Sequence, residues 1–278
     1  MTFVTRDGVR IAYDDWAPPG GPGPLVVMVM GTGSPGRVWQ THQVPALRAA
    51  GHRVVTLDNR GAGASDECAA GFTIDDMVGD VAALVEHLDA GPAAVVGTSL
   101  GARIVVELAL ARPDLVTRAV ALAAHARLEP VQRAFTAGEI ALADEKIVPP
   151  PDHHAAVSAV QYLSPATLRD ERAAQDWLDV VAFRGAAIGP GHRAQLAVSL
   201  ALTDRRAAYR DVAVPLLVVG FADDATIPPH LSREVADAVP GARYVEIPDA
   251  GHYGYLERPD AVNRVLLEFL ATTSRHTP

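Results

Sequence analysis

The sequence predicts an α/β protein: a mostly parallel, doubly wound sheet with helices on both faces and a helical insertion late in the chain. Two observations carry this. Short apolar, β-rich runs alternate with amphipathic helical stretches along most of the 278 residues, and alternation of that kind gives a parallel sheet covered by its crossover helices. The alternation then breaks once, between about residues 126 and 212, where helical spacing persists and no strand pattern is found.

In chain order, Thr2 to Trp16 alternates as a β-hairpin, with Asp7-Gly8 suited to its turn. A Pro/Gly loop from Ala17 to Pro24 leads into Leu25 to Met30, a continuous apolar run of the kind a strand buried on both faces requires. Arg53 to Leu57, Ala93 to Gly97, Arg118 to Ala123, Val214 to Val219 and Arg243 to Ile247 repeat the pattern. Helical periodicity separates them at Val38 to Ala50, Ile74 to Asp89, Leu100 to Ala111, Leu231 to Ala238 and Asp260 to Leu270. The interrupted stretch is rich in Ala, Arg and Asp and is broken at Pro149-Pro150-Pro151, Pro165 and Gly189-Pro190-Gly191. The expected organisation is a core of residues 1–125 and 213–278, with a cap of 126–212 over the carboxyl ends of the strands, where open α/β sheets place their ligands.

Composition narrows the partners. With 24 basic and 33 acidic side chains the net charge is −9, which disfavours nucleic acid and anionic membrane surfaces. A small-molecule substrate is the expected partner. One cysteine, Cys68, permits no internal disulfide and no Cys-based zinc site. His153 and His154 are neighbours without a matching carboxylate spacing, so no metal is expected and the pair is read as solvated. His42 and His52 flank a helix and are read as surface. No secretory pattern and no long apolar span is visible, so a cytoplasmic protein of a reducing compartment is the expectation. Nothing specifies an oligomeric state.

The chemistry centres on Gly97-Thr98-Ser99-Leu100-Gly101, between a β-rich run and a helix. Strand, G-x-S-x-G, helix is the pattern of a nucleophile elbow, in which small neighbours tolerate a strained turn and the helix N-terminus favours developing negative charge. The partners follow in the order such a site needs. Leu216 to Gly220 runs into Phe221-Ala222-Asp223-Asp224, and Val245 to Ile247 runs into Pro248-Asp249-Ala250-Gly251-His252. Ser99 as nucleophile, His252 as general base and a carboxylate orienting the imidazole would make an acyl-transfer site. The backbone N–H of Leu100 is the natural first donor to the oxyanion; each such donor is typically worth about 3 kcal/mol of barrier.

Over nearly its whole length the chain resembles the α/β-hydrolase superfamily. Asp58-Asn59-Arg60-Gly61-Ala62-Gly63-Ala64-Ser65 is similar to that family's D-x-R-G-x-G-x-S loop, and Ala250-Gly251-His252 with Glu257-Arg258-Pro259 is similar to its catalytic-histidine segment. Gly220 to Asp224 and His42 to Arg60 look most like bacterial cofactor-free bromoperoxidase-like hydrolases and esterases. The resemblance implies no cofactor, and a second oxyanion donor at the N–H of Thr32. Many relatives carry His-Gly where this chain has Met30-Gly31; the backbone donor survives that change, whereas any hydrogen bond from the histidine does not. The family's acid usually stands four residues before a proline, which from Pro228 gives Asp224; counting forward from Gly220 favours Asp223 instead. Asp224 is preferred, with Asp223 as a solvated or capping carboxylate and Asp249 as a loop residue.

The resulting expectation is a serine hydrolase of carboxylesterase or thioesterase type. It would cleave an ester, thioester or lactone of a mostly apolar small molecule through an acyl-serine. Carbon–carbon bond hydrolysis, perhydrolysis and cyclase chemistry use the same fold and remain alternatives. Expected pocket residues are His125, just beyond a strand, Tyr253 beside His252, and Phe135, Trp177 and Phe183 of the cap. Two readings of other classes stand beside this one. Gly31-x-Gly33-x-x-Gly36 with Asp58 mimics an NAD-binding oxidoreductase's fingerprint, but Pro35 falls inside the would-be phosphate loop. A non-catalytic ligand-binding module would leave Ser99, Asp224 and His252 without a purpose.

Overall fold

The computed structural model describes residues 2–272. Strands β1 (Thr2–Arg6) and β2 (Val9–Trp16) form the hairpin. Asp7 and Gly8 both take positive φ, 50° and 80°, the two-residue turn whose twist matches its flanking strands. Then come β3 (Leu25–Val29), α1 (Gln43–Ala49), β4 (Arg53–Leu57), α2 (Ile74–His87), β5 (Ala93–Thr98), α3 (Leu100–Ala111) and β6 (Val116–Leu122). Five helices follow without a strand: α4 (Pro130–Asp144), α5 (Pro151–Tyr162), α6 (Pro165–Arg169), α7 (Glu171–Arg184) and α8 (Pro190–Leu200). The last described elements are β7 (Leu216–Phe221), α9 (Pro229–Ala238), β8 (Arg243–Ile247), α10 (Gly254–Glu257) and α11 (Pro259–Ala271).

The eight strands lie in the order β1-β2-β4-β3-β5-β6-β7-β8. β2 pairs antiparallel with β1 and β4, and the other neighbours are parallel. Alternate strand residues feed two cores. Val27, Val29, Val55, Val95, Ala121 and Val218 pack with α2 and α3 on one face. Val26, Met28, Val54, Val96, Leu122 and Val219 pack with Trp39, Leu47, Val262 and Leu266 on the other. Every residue of β3, β5 and β7 is buried, which is why these strands read as unbroken apolar runs.

Prolines set most departures from the expected boundaries. The helix expected over Val38 to Ala50 is split into a 3-10 turn (Gly36–Thr41) and α1. Pro45 cannot donate to Thr41, so a continuous helix would lose that hydrogen bond, and Pro45 sits in α1's first turn instead, where no donor is needed. β7 starts after Pro215 rather than at Val214. In the insertion the prolines start helices rather than merely breaking them. Pro130, Pro151, Pro165 and Pro190 each occupy a first helical position after an extended residue, where a missing N–H costs nothing. Among the described residues no helix is long and apolar enough to cross a membrane.

Candidate active site

Ser99 stands between β5 and α3 with φ 56° and ψ −119°, a strained conformation for a residue with a side chain. The turn is fixed from both sides. The Ser99 N–H donates to Leu122 O (3.0 Å), and Ser99 O accepts from Arg103 N (3.1 Å). Glycine is obligatory around it: a Cβ on Gly97 would strike the backbone of Gly101, and one on Gly101 the carbonyls of Val29 and Met30. Leu100 opens α3, so its N–H belongs to the first helical turn, which has no intrahelical acceptor.

The loop after β3 passes directly over the serine. A Cβ on Gly31 would lie 3.1 Å from Ser99 Cβ, so the backbone of Gly31 lies against the serine with little room for a side chain. Met30 O accepts from Asn59 Nδ2 (2.8 Å) and Gly31 O from Ser34 N (3.3 Å). Thr32 and Leu100 line the same cavity as Ser99.

The carboxylate and imidazole come from the ends of β7 and β8. Asp224 Oδ2 accepts from His252 Nδ1 at 2.8 Å, and its Oδ1 accepts from Thr226 N and Ile227 N, both at 2.8 Å. With Nδ1 donating to the carboxylate, Nε2 is left as the ring's proton acceptor. Asp224 is 3% exposed and His252 7%, whereas Asp223 and Asp249 are exposed. The structure thus gives the histidine contact to Asp224, the preferred aspartate. The histidine loop is tied to the insertion. Glu257 accepts from Gly251 N (2.7 Å) and from Ser164 N and Oγ (both 2.8 Å), and Tyr253 N donates to Tyr162 O (3.0 Å).

The Asp58 to Ser65 loop is a knot of internal bonds. Asp58 Oδ1 accepts from Gly36 N (2.6 Å) and Oδ2 from Ala64 N (2.8 Å). Arg60 and Asp80, 6% and 3% exposed, form a two-pronged pair with both contacts at 2.6 Å. Asp58 is therefore committed to backbone, and a 3-10 turn rather than an α-helix follows Gly36. The apparent dinucleotide fingerprint lacks both a free carboxylate and a helix N-terminus for a pyrophosphate.

Ser99 and His252 share a cavity of about 980 Å³ between the strand ends and the insertion. Of the expected pocket residues, His125, Phe135 and Tyr253 line it. His125 is 8% exposed, and its Nδ1 has no hydrogen-bond partner. Burial, then the charges of Arg103 and His252, push the imidazole down to about 3, so it is neutral at physiological pH. Two expectations need correction. Trp177 does not reach the cavity but stacks behind Tyr253, with ring centroids 5.8 Å apart. Phe183 is 94% exposed and lies outside. On α7, Val181 and Arg184 follow Trp177 at i+4 and i+7 and turn to the cavity, while Phe183 at i+6 falls on another face. Tyr209 is core, with its hydroxyl 3.1 Å from Glu107 Oε1.

Several lining residues were not singled out from the sequence. Glu139 is the one carboxylate among the lining side chains, and burial pushes it up to about 7. Val131, Phe135, Glu139 and Leu142 share one face of α4, a spacing legible in the sequence once the helix's orientation is known. Arg184 and His192 also line the cavity, and burial lowers the His192 imidazole. His153 and His154, read as solvated, stand on the cavity wall, with His154 half-buried. His42 and His52 are half-buried rather than surface, and burial lowers His52. Among the described residues no group of three or more His, Cys, Asp or Glu side chains could hold a metal ion.

Comparison with known proteins identifies the family of the fold. The chain is 46% identical to the Mycobacterium tuberculosis protein named as a non-heme bromoperoxidase, BpoC, across 95% of this chain and 98% of that one. The crystal structure of BpoC superposes with a TM-score of 0.88 over 94% of this chain and 95% of that chain. A Klebsiella pneumoniae protein named as a carbamate hydrolase, RutD, is 31% identical over 92% of this chain and 94% of its own. The Burkholderia xenovorans enol-lactonase structure is 28% identical, with a TM-score of 0.78 over 98% of this chain and all of that one. A family model described as the alpha/beta hydrolase fold matches residues 24–259, and the chain belongs to that family.

Proposed function

We propose that the protein is a serine hydrolase that cleaves an ester, thioester or lactone through an acyl-Ser99 intermediate. The observation that carries this is the 2.8 Å Asp224–His252 hydrogen bond beside the cavity that also holds the strained Ser99. Asp224 fixes the imidazole with its proton on Nδ1, and Nε2 takes the Ser99 proton as Oγ attacks the carbonyl carbon. The resulting oxyanion is held by the N–H groups of Leu100 and Thr32. The imidazolium then protonates the leaving alcohol or thiol. Water, deprotonated by the same imidazole, attacks the acyl carbon and releases Ser99.

Residues 126–212 act as a cap on a core made, within the described residues, of 2–125 and 213–272 (the rest of the expected 1–125 and 213–278 lies outside them), and the cap supplies most of the substrate wall. Leu128, Val131, Phe135, Val157, Val160 and Leu196 make that wall largely apolar, which fits an acyl or alcohol group of substantial apolar bulk. His125 offers a neutral imidazole to a polar atom of the substrate. The names of RutD and of the enol-lactonase refer to carboxyl derivatives, in line with acyl transfer to water. A panel of p-nitrophenyl esters, acyl thioesters, lactones and β-diketones, assayed on wild type and S99A, tests the reading. Turnover of carboxyl derivatives that S99A loses by several orders of magnitude is expected. Turnover confined to diketones would move the reaction to carbon–carbon cleavage, and an active S99A would remove the nucleophile.

A further inference from the structure

We propose that Gln195, on the insertion helix α8, is a positioning residue for the Gly31-Thr32-Gly33 loop, so that the insertion shapes the oxyanion-binding backbone as well as enclosing the substrate. This rests on the acyl-serine reading above. Gln195 is fully buried and spends both ends of its amide on two core loops. Oε1 accepts from Gly33 N at 2.7 Å, and Nε2 donates to Arg60 O at 2.8 Å. One partner is an N–H and the other a carbonyl, so the amide has a single satisfied orientation.

What it holds is the turn that presents Thr32. Gly31 O accepts from Ser34 N, and Gly33, third in that turn, has φ 67°. A turn with positive φ at its third residue has its central peptide, Thr32–Gly33, flipped relative to the commoner type, and glycine switches easily between the two. The Gly33 N–H belongs to that central peptide. By accepting from it, Gln195 selects one of the two orientations and fixes the backbone immediately after the Thr32 N–H. The neighbouring contacts leave little slack. His192, one turn earlier on α8, lies so close to Gly33 that a Cβ there would come within 2.8 Å of its ring. Gly191 and Gly61 meet backbone to backbone, where neither has room for a side chain. On the other side, Asn59 anchors Met30 O. The loop is thus tied to the core at its start and to the insertion at its end, and only the second tie depends on residues outside the core.

Gln195→Met keeps length and apolar volume and removes both hydrogen bonds. The expected result is a kcat for the best ester of the panel reduced 10- to 100-fold with KM within twofold, because the lost alignment matters once the tetrahedral oxyanion forms. A trifluoromethyl ketone, which forms a tetrahedral adduct with an active serine, should bind more weakly by the factor lost in kcat/KM. A product carboxylic acid should bind unchanged. Active-site titration with a fluorophosphonate normalises for folded protein. Gln195→Asn keeps the amide but is one methylene too short to span both partners, and it carries the same expectation if the methionine variant does not fold. Gln195→Glu keeps the acceptor for Gly33 N and should retain more kcat than either. Unchanged kcat, or a loss accounted for by fewer titratable sites, overturns the proposal. A wild type that neither turns over carboxyl derivatives nor reacts with the fluorophosphonate overturns the acyl-serine reading instead.

Discussion

Replacing Asp224 by Asn separates the orientation of His252 from the mere presence of a polar neighbour. The two side chains are nearly isosteric, but the aspartate accepts three hydrogen bonds, from His252 Nδ1, Thr226 N and Ile227 N. An asparagine has one acceptor oxygen. Turned toward the two backbone N–H groups, it points its NH2 at His252 Nδ1, forces the proton to Nε2, and leaves the imidazole unable to take the Ser99 proton. Turned the other way it restores the tautomer but sets an NH2 against two buried N–H donors. Each lost bond costs about 1–3 kcal/mol, so the competent arrangement lies about 2–6 kcal/mol up. At about 1.4 kcal/mol per decade that is a loss of about 30-fold to 10⁴-fold in rate, and loss of the correct tautomer in a Ser-His-Asp site typically lies near the upper end. Steady-state hydrolysis of a p-nitrophenyl ester should show kcat down by about 10³ to 10⁴ with KM nearly unchanged. The matched control is Asp223→Asn, since Asp223 is exposed and should stay within about twofold. An Asp224→Asn variant within tenfold of wild type, or an Asp223→Asn variant equally impaired, would refute the reasoning.

Gly101→Ala should fold poorly, because its Cβ would meet the carbonyls of Val29 and Met30. A loss of about 3 kcal/mol or more is expected, read as a Tm drop of about 6–12 °C. Asp80→Ala should destabilise by about 3–5 kcal/mol in urea unfolding, since it strands the buried Arg60 guanidinium. Glu139, raised by burial from 4.5 to about 7, stabilises the fold fully when protonated, below pH 4.5, and progressively less as pH rises through 7. The full gap corresponds to about 3 kcal/mol; water in the open cavity should reduce that to about 1. Glu139→Gln should therefore gain urea stability over wild type between pH 5 and pH 8, and parallel curves for the two proteins would contradict it.

Much of the fold was legible because the core strands carry it locally. Runs such as Leu25 to Val29 and Leu216 to Phe221 are apolar throughout, and the Ser99 and His252 segments combine a strand end with glycines that the backbone geometry demands. The choice between Asp223 and Asp224 was not legible from residue type, because both sit in one turn. It is made by which carboxylate reaches Thr226 N, Ile227 N and His252 together. The cavity wall was the least legible part. Helices over a pocket show amphipathic periodicity whether a face meets core, substrate or solvent, so Phe183 and Trp177 looked as eligible as Phe135. Glu139, Arg184 and His192 carry no sequence pattern that separates a cavity wall from a solvent-facing helix face. Gln195 left no local trace at all, since its partners are 162 and 135 residues away in sequence.

The most direct test is to incubate the protein with a fluorophosphonate and map the adduct by mass spectrometry. One adduct per chain at Ser99, formed by wild type, abolished in S99A and slowed strongly in the Asp224→Asn variant, is the predicted result. No adduct on a folded wild type, or an adduct that persists when the serine is removed, would contradict it.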